Sequence, residues 1–402
     1  MNTKIGSTWS KWDLHVHTHH SHLANKYNCS AKEIAKKIKE EDLKVVGVTN
    51  YFIVLEEELS ELNKELNGTV TLLPNFEFRI NDKNQKGEYI NVHIIFNLKS
   101  PNVTFTKIYS SLSRVPIHNL SGETKKYCTI EDINEFGFDN VTVEFETLLK
   151  QLENDFVIED DFLIVGVTSG YGGFHPDNKP RNIHTAVKID RNSHIIFGNE
   201  RDTNFFLNIG GRSSYNLPDK CVIKCSDAHT VNDIGQNYTW IKSSPTFNGL
   251  KQTIYEPSER VKIQDSNPQC DFAKPYFSTI DIKEKVTVFT DETLSFGKQT
   301  IPLNPNLVCI IGGRGEGKSI LIDYLANGFG LAKPYDKYDL SEEFVVTYKK
   351  LICQDDIIEF KFDTENYLDF LYISQNAVKE RVLNVKELGD EIKKMLGLNS
   401  IS

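Results

Sequence analysis

The chain lacks any apolar run of membrane-spanning length, and residues 1–11 are polar where a secretion leader would carry an apolar core. A cytoplasmic location without a membrane partner is the expectation. Cysteine is sparse: seven residues, an odd number, scattered along the chain. Cys221 and Cys225 are four apart, but no second pair completes a zinc-ribbon spacing. Reduced, buried thiols are therefore expected rather than a disulfide framework. Positive charge is also in short supply, 46 Lys and Arg against 56 Asp and Glu, for a net charge of −10. That excludes broad electrostatic coating of a polyanion while leaving room for local patches. Two such patches are Lys32, Lys36, Lys37 and Lys39, which read as a solvated helix face, and the stretch from Arg79 to Lys86. There is no internal repeat and no low-complexity tract.

What is present is an ordinary globular composition, 39% hydrophobic and 25% charged, over 402 residues, enough for two domains with separate cores. From Lys11 to Lys262 short β-branched runs recur: Leu43 to Thr49, Val70 to Ile80, Asn91 to Phe96, Phe162 to Thr168 and Cys221 to Lys224. Helical stretches lie between several of them. Ser30 to Glu33 is a capping box ahead of Ile34, Ala35 and Ile38, which share a helical face. Thr104 to Leu112, Glu144 to Leu152 and Phe247 to Tyr255 also read as helices. Strands alternating with helices predict an α/β layer or barrel architecture. The polar stretch around Asp265 to Pro275, with Pro268 and Pro275, marks a linker, placed over 266–285 between domains 1–265 and 286–402. Beyond it, Val286 to Phe289, Leu307 to Ile311 and Phe370 to Ile373 are predicted strands. Glu343 to Tyr348 with Ile357 to Phe362 form a predicted hairpin, and Val382 to Leu396 a helix.

Two segments carry chemistry. Gly312-Gly313-Arg314-Gly315-Glu316-Gly317-Lys318-Ser319 satisfies the P-loop pattern, between an apolar run and a helical stretch. Its glycines, Gly312, Gly313, Gly315 and Gly317, let backbone N–H groups curl around a phosphate at a helix N-terminus. Lys318 would reach the β- and γ-phosphates and Ser319 would ligate magnesium, so ATP and magnesium are the expected cofactors. The second segment is Asp13-Leu14-His15-Val16-His17-Thr18. On a strand, His15 and His17 fall on one face, a geometry suited to a divalent metal.

Both segments resemble known families. Asp13 to Thr18 resembles the first motif of the polymerase and histidinol phosphatase (PHP) superfamily. Leu73-Pro74-Asn75-Phe76-Glu77, Asn91-Val92-His93-Ile94-Ile95-Phe96 and Cys225-Ser226-Asp227-Ala228-His229 resemble its later motifs, in order. The resemblance implies a distorted β/α barrel with two or three metals at the strand ends, and phosphoester hydrolysis. It carries over His15, His17, Glu77, His93, Asp227 and His229 as metal ligands, with Glu77, His93 and Asp227 catalytic. His22 aligns with a family aspartate and is either a seventh ligand or a surface loop residue. The family's Thr-Asp-His is here Thr49-Asn50-Tyr51, and its Cys or His ligand near the fifth or sixth strand has no counterpart at Thr168-Ser169-Gly170. At least one metal ion and up to two are expected: zinc, manganese or iron.

The glycine loop resembles ABC-type ATPases of the SMC-like group, and Leu371 to Gln375 resembles their Q-loop, which adds Gln375 to the nucleotide-binding set. No acid-ended apolar strand follows it before Ser402, so the segment reads as a partial ATPase lobe. Tyr238 to Lys242, Pro245 to Gln252 and Glu256 to Val261 resemble the connection in TrlF-like fusions of a PHP domain to an SMC-like ATPase. That resemblance implies a metal-dependent phosphoesterase, in all a nuclease on DNA or RNA. An ATPase that forms homo-oligomers would regulate it, in DNA repair or anti-phage defence. Two alternatives stay open: a degenerate PHP domain that senses nucleic acid or a partner, and a small-molecule phosphatase.

Overall fold

The computed structural model describes residues 5–121, 124–174, 183–209, 216–271, 276–290, 293–329, 338–349, 357–361 and Tyr372. They fall into two units. Ser7–Gln269 form one, and Met1–Gly6 with Cys270–Ser402 the other.

In the first unit the β-branched runs become strands of one sheet. These are β1 (Thr8–Val16), β2 (Leu43–Tyr51), β3 (Thr71–Lys83), β4 (Tyr89–Phe96), β5 (Pro116–Asn119), β6 (Thr124–Tyr127), β7 (Val141–Val143), β8 (Phe162–Val167), β9 (Ile195–Phe197), β10 (Val222–Ile223), β11 (Thr239–Ser243) and β12 (Val261–Lys262). The main path runs β10-β9-β8-β4-β3-β2-β1-β11-β12. β1–β2, β2–β3, β8–β9 and β9–β10 are parallel, whereas β3–β4, β4–β8 and β1–β11 are antiparallel. The two ends of the path meet. Lys224, just past β10, donates its backbone N–H to Thr239 Oγ1 at 2.8 Å, and that hydroxyl donates to the Lys224 carbonyl at 2.9 Å. The result is a nearly closed mixed barrel of α/β type.

The helices of this unit are α1 (Ala31–Glu40), α2 (Glu56–Leu66), α3 (Phe105–Leu112), α4 (Ile130–Phe136), α5 (Phe145–Asp155), α6 (Ile183–Asn192), α7 (Glu200–Phe206), α8 (Phe247–Tyr255) and α9 (Pro257–Arg260). The expected capping box at Ser30 and Glu33 opens α1, and Thr104 caps α3 through its side chain. Strand alternation then divides the core in two. Val46, Val48, Phe76, Phe78, Ile80, Val92 and Ile94 pack outward against Ile34, Ile38, Leu62 and Leu152 of the helices. Trp12, Leu14, Val45, Leu73, Ile95, Leu163, Ile195 and Ile241 point inward and pack with Leu250 of α8. The inward row continues from Leu73 through Asn75 to Glu77, and from Ile95 through His93 to Asn91. The apolar floor of the barrel therefore turns polar towards one end.

β1 does not run straight. Its register with β2 shifts between Asp13 and Val16. At that point the Leu14 carbonyl leans over Gly47, where a Cβ would lie 2.0 Å from its oxygen. A side chain at position 47 would forbid this bulge, and the bulge turns the His15–His17 segment into the polar end.

In the second unit an antiparallel sheet, β16-β13-β17-β18, comprises β13 (Tyr276–Ile282), β16 (Gln299–Pro302), β17 (Phe344–Lys349) and β18 (Ile357–Lys361). A two-stranded ribbon joins β14 (Val286–Thr287) to β15 (Ser295–Phe296). Helix α10 (Lys318–Gly328) packs Tyr324 against Ile280, Phe344 and Val346. Three expectations are corrected here. The stretch 266–285 is not a plain connector, because β13 within it pairs on both edges and buries Ile280 and Ile282. Residues 307–311 form no strand: no described strand pairs with them, and Leu307 and Ile311 are 75% and 91% exposed. Finally, Cys270 is disulfide-bonded, while Cys29, Cys128, Cys221, Cys225 and Cys309 are free thiols. Of the predicted strand at 370–373 only Tyr372 is described, and the helix at 382–396 and Gln375 lie outside the described residues.

Candidate metal centre

The polar end of the barrel gathers the histidine motif and the later acidic motifs. β3 and β4 pair so that Glu77 stands opposite His93. The loop after β10 reaches the end of β1 through a parallel bridge between Val16 and Ala228, where His17 N donates to the Ala228 carbonyl at 3.1 Å. Asp227 in that loop adopts a left-handed backbone (φ 50°), an uncommon conformation for a non-glycine residue. Buried Asp13 braces the loop, accepting from the backbone N–H of Ser226 at 3.0 Å and of Gly235 at 3.2 Å. Burial outweighs these bonds and raises its pKa to about 6.

The side-chain atoms converge closely. His15 Nε2 lies 3.2 Å from His17 Nε2, 3.3 Å from Glu77 Oε2 and 3.1 Å from Asp227 Oδ1. His17 Nε2 lies 3.5 Å from Glu77 Oε2 and 3.6 Å from Asp227 Oδ1, and His229 Nε2 lies 3.4 Å from the same Asp227 oxygen. His15, His17 and Glu77 form one group whose ligand atoms all lie within 4.8 Å of one another, and His17, Asp227 and His229 form another. Four ligands about 2.1 Å from a tetrahedral ion stand about 3.4 Å apart, the spacing found here. Glu77 Oε2 and His93 Nε2 are buried without a hydrogen-bond partner. Two imidazole nitrogens facing each other across 3.2 Å, beside an unpartnered carboxylate oxygen, are costly unless something positive lies between them. The donor set of imidazoles and carboxylates fits a divalent transition metal.

Electrostatics follow from this crowding. Burial lowers the His15 pKa, but Asp227 and Glu77 outweigh it and hold it up at about 9. Burial would raise Glu77 and Asp227, yet the surrounding histidines carry both far below the usual carboxylate range. Burial, and then the charge on His15, bring His93 down to about 3. Its tautomer is set by a chain of bonds. Thr49 Oγ1 donates to the Gly47 carbonyl at 3.1 Å, and Asn75 Nδ2 donates to Thr49 Oγ1 at 3.0 Å and to the Leu14 carbonyl at 2.8 Å. Asn75 Oδ1 is left as the acceptor facing His93 Nδ1 at 3.1 Å. The proton therefore sits on Nδ1, and Nε2 presents its lone pair.

The other sequence-derived positions fall as follows. His93 stands edge-on to His15, ring centroids 4.5 Å apart, behind the two ligand groups. His22 stacks on Phe138 with centroids 4.2 Å apart and joins neither group. Asn50 accepts the His22 N–H and donates to the His20 carbonyl at 3.1 Å, so it shapes the loop after β1. Tyr51 lies against His17, centroids 4.9 Å apart, and burial raises its pKa so that the phenol stays neutral. A third potential group, His19, His20 and Glu61, lies nearer the surface. Sequence reasoning missed Thr49, Asn75 and Asn91. The signal was available: each lies on the inward row beside a predicted ligand.

A cavity of about 440 Å³ opens over these groups, lined by His15, Glu77, His93, Asp227 and His229 among others. No family model and no curated protein matches the sequence. Three solved structures are similar to part of this chain. A candidate metal-dependent phosphoesterase from Bifidobacterium adolescentis is 10% identical, with 54% of this chain and 87% of that chain covered, at a TM-score of 0.31. PsfC from Pseudomonas syringae is 15% identical, with 65% and 94% covered, at 0.36. An amidohydrolase from Chromobacterium violaceum is 11% identical, with 63% and 97% covered, at 0.31.

In the second unit the glycine loop leads directly into α10. Gly317 precedes the helix with φ 80°, and Gly315 has φ 86°. The Lys318 ammonium folds back onto the carbonyls of Gly312 and Gly313, at 2.7 and 2.6 Å. No helix among the described residues is long and apolar enough to cross a membrane.

Proposed function

We propose that the chain is a PHP-type metallophosphoesterase, a nuclease acting on DNA or RNA, under the control of ATP bound at the glycine loop. The observation that carries the reading is the convergence of His15, His17, Glu77, Asp227 and His229 at metal-ligand spacing, with all but His17 lining one cavity. These residues would hold a divalent metal such as zinc, manganese or iron, with the Nε2 lone pair of His93 available beside them. A bound dication supplies Lewis acidity and a water acidified towards neutral pH.

The chain's own groups then divide the work. Water adds to phosphorus and the ester P–O bond breaks. Asp227, whose side chain is 61% exposed and lines the cavity, would orient the water as a hydrogen-bond acceptor, and the water's proton would pass to solvent. Tyr51 lines the cavity as a neutral phenol and can donate to the departing oxygen.

The nucleotide half of the proposal rests on the loop 312–319, its two left-handed glycines and the α10 N-terminus. Lys318 would exchange the two loop carbonyls for phosphate oxygens, Ser319 would hold magnesium, and Gln375 would complete the site. ATP-dependent homo-oligomerisation would gate access to the metal site, a role suited to DNA repair or anti-phage defence in the cytoplasm.

A panel of single-stranded DNA, double-stranded DNA and transfer RNA, with added manganese or zinc and with or without ATP, tests this. Cleavage that His15→Ala abolishes supports the phosphoesterase, and no cleavage in any lane overturns it. An ATP-independent pattern removes the regulatory half alone.

A further inference from the structure

The cavity over the metal groups contains more than those groups require. Lys224 is the only Lys or Arg among the described residues lining it. Its ammonium forms no ion pair and no hydrogen bond with any described residue, although Asp227 and Glu77 line the same cavity. Its backbone, by contrast, is pinned in both directions by Thr239 where the barrel closes. A half-buried lysine with a fixed backbone and an uncommitted charge is a binding group, because a structural one would have found its carboxylate.

Two further groups share the lining. Asn237, half-buried on the β10–β11 loop, has a side-chain amide that bonds to no described residue. Tyr171 is 64% exposed, yet its loop is tethered on both sides. Asn91 N donates to the Gly172 carbonyl at 2.9 Å, and Phe174 N to the Val167 carbonyl at 2.8 Å. The loop makes its turn through Gly170 and Gly172, both with positive φ. It therefore presents an aromatic face at the rim of a cavity large enough for an organic ligand rather than a lone phosphate.

The metal groups account for the charge of one reacting phosphoryl group. A separate free cation beside an exposed aromatic ring fits a second phosphate and a base. We propose that Lys224, Asn237 and Tyr171 form a subsite for the nucleotide next to the scissile bond. The ammonium and the amide take its phosphate, and the Tyr171 ring stacks on its base. The substrate is then a nucleotide chain, not a phosphomonoester. The proposal rests on the phosphoesterase reading of the same cavity.

The test uses the full chain loaded with manganese and three diesters: bis(p-nitrophenyl) phosphate, the dinucleotide TpT, and pTpT, which adds one neighbouring phosphate. Hydrolysis of bis(p-nitrophenyl) phosphate reports on the phosphoesterase reading alone. The wild type should prefer pTpT to TpT. Lys224→Gln should raise KM for pTpT about 10- to 100-fold with kcat little changed, while its turnover of bis(p-nitrophenyl) phosphate stays within about twofold. Lys224→Arg, which keeps the charge, should restore most of the preference. Equal KM values for pTpT in wild type and Lys224→Gln overturn the subsite, as does an equal loss on all three diesters. If no diester is hydrolysed, calorimetric binding of pTpT to the two proteins decides. Weaker binding to Lys224→Gln upholds the subsite without the reaction, and equal or absent binding overturns it.

Discussion

Asn91 donates from Nδ2 to Glu77 Oε1 at 2.7 Å, so one carboxylate oxygen is occupied and the other, Oε2, is turned towards His15 and His17. The two residues sit on neighbouring antiparallel strands, and β-pairing alone sets their separation. Removing this orienting bond should loosen the ligand without removing it. Asn91→Ala is expected to weaken divalent metal binding about 10- to 100-fold, measured by competition with a chelator, while the fold is retained. Unchanged affinity would mean that Glu77 needs no such support.

The β1 bulge depends on position 47. Gly47→Ala places a methyl against the Leu14 carbonyl, backbone on backbone, with no side chain able to yield. A loss of about 3 kcal/mol in denaturant stability is expected, together with loss of metal binding. Gly68→Ala is the control: its φ is +66° but nothing lies within 4 Å, so only the backbone cost of about 1 kcal/mol should appear. If both variants lose the same amount, the close approach at Leu14 is not what position 47 must accommodate.

His194 sets a pH dependence remote from the metal groups. Burial, against the opposing pull of Glu159, lowers its pKa from 6.5 to about 4, and its Nδ1 accepts from Ile164 N at 2.9 Å. Between those two values the unfolded chain binds the proton and the folded chain does not. Stability should therefore be full above about pH 6.5 and fall progressively as the pH drops towards 4, by at most about 3 kcal/mol. Melting curves of wild type and His194→Gln across this range check it. The variant should be less stable at pH 7 and show a shallower acid slope.

Lys318 is held by two loop carbonyls. Lys318→Ala should leave the melting temperature within a degree or two and weaken binding of a fluorescent ATP analogue at least about tenfold. Undiminished binding would count against the nucleotide site.

Much of this architecture was legible in the chain because its signals are local. Ser30 with Glu33 opens α1 where the capping box predicts, and α8 spans the predicted Phe247–Tyr255. Glu77, His93, Asp227 and His229 lie in the segments that resemble the family motifs, and each stands on or beside an inward-facing row. What was not legible depends on partners. Leu307 to Ile311 has the composition of a strand, but strands form only against another strand, and none of the described ones pairs with it. The roles of Asn75 and Thr49 likewise emerge only when β1, β2 and β3 lie side by side. The polar composition of 266–275 hides the strand that follows it, because only Ile280 and Ile282 of β13 are buried and that burial comes from neighbouring strands.

The placement of β1 between β2 and β11 also has a consequence in time. His15 and His17 leave the ribosome well before residues 239–243, and only when those have been made does the strand that carries them gain its second edge. Asp227, His229 and the Asp13 brace arrive in the same late stretch. Until then the nascent chain holds paired imidazoles on a half-supported strand. Assembly of the centre and closure of the barrel are thus one event of high contact order, near the end of this unit's synthesis.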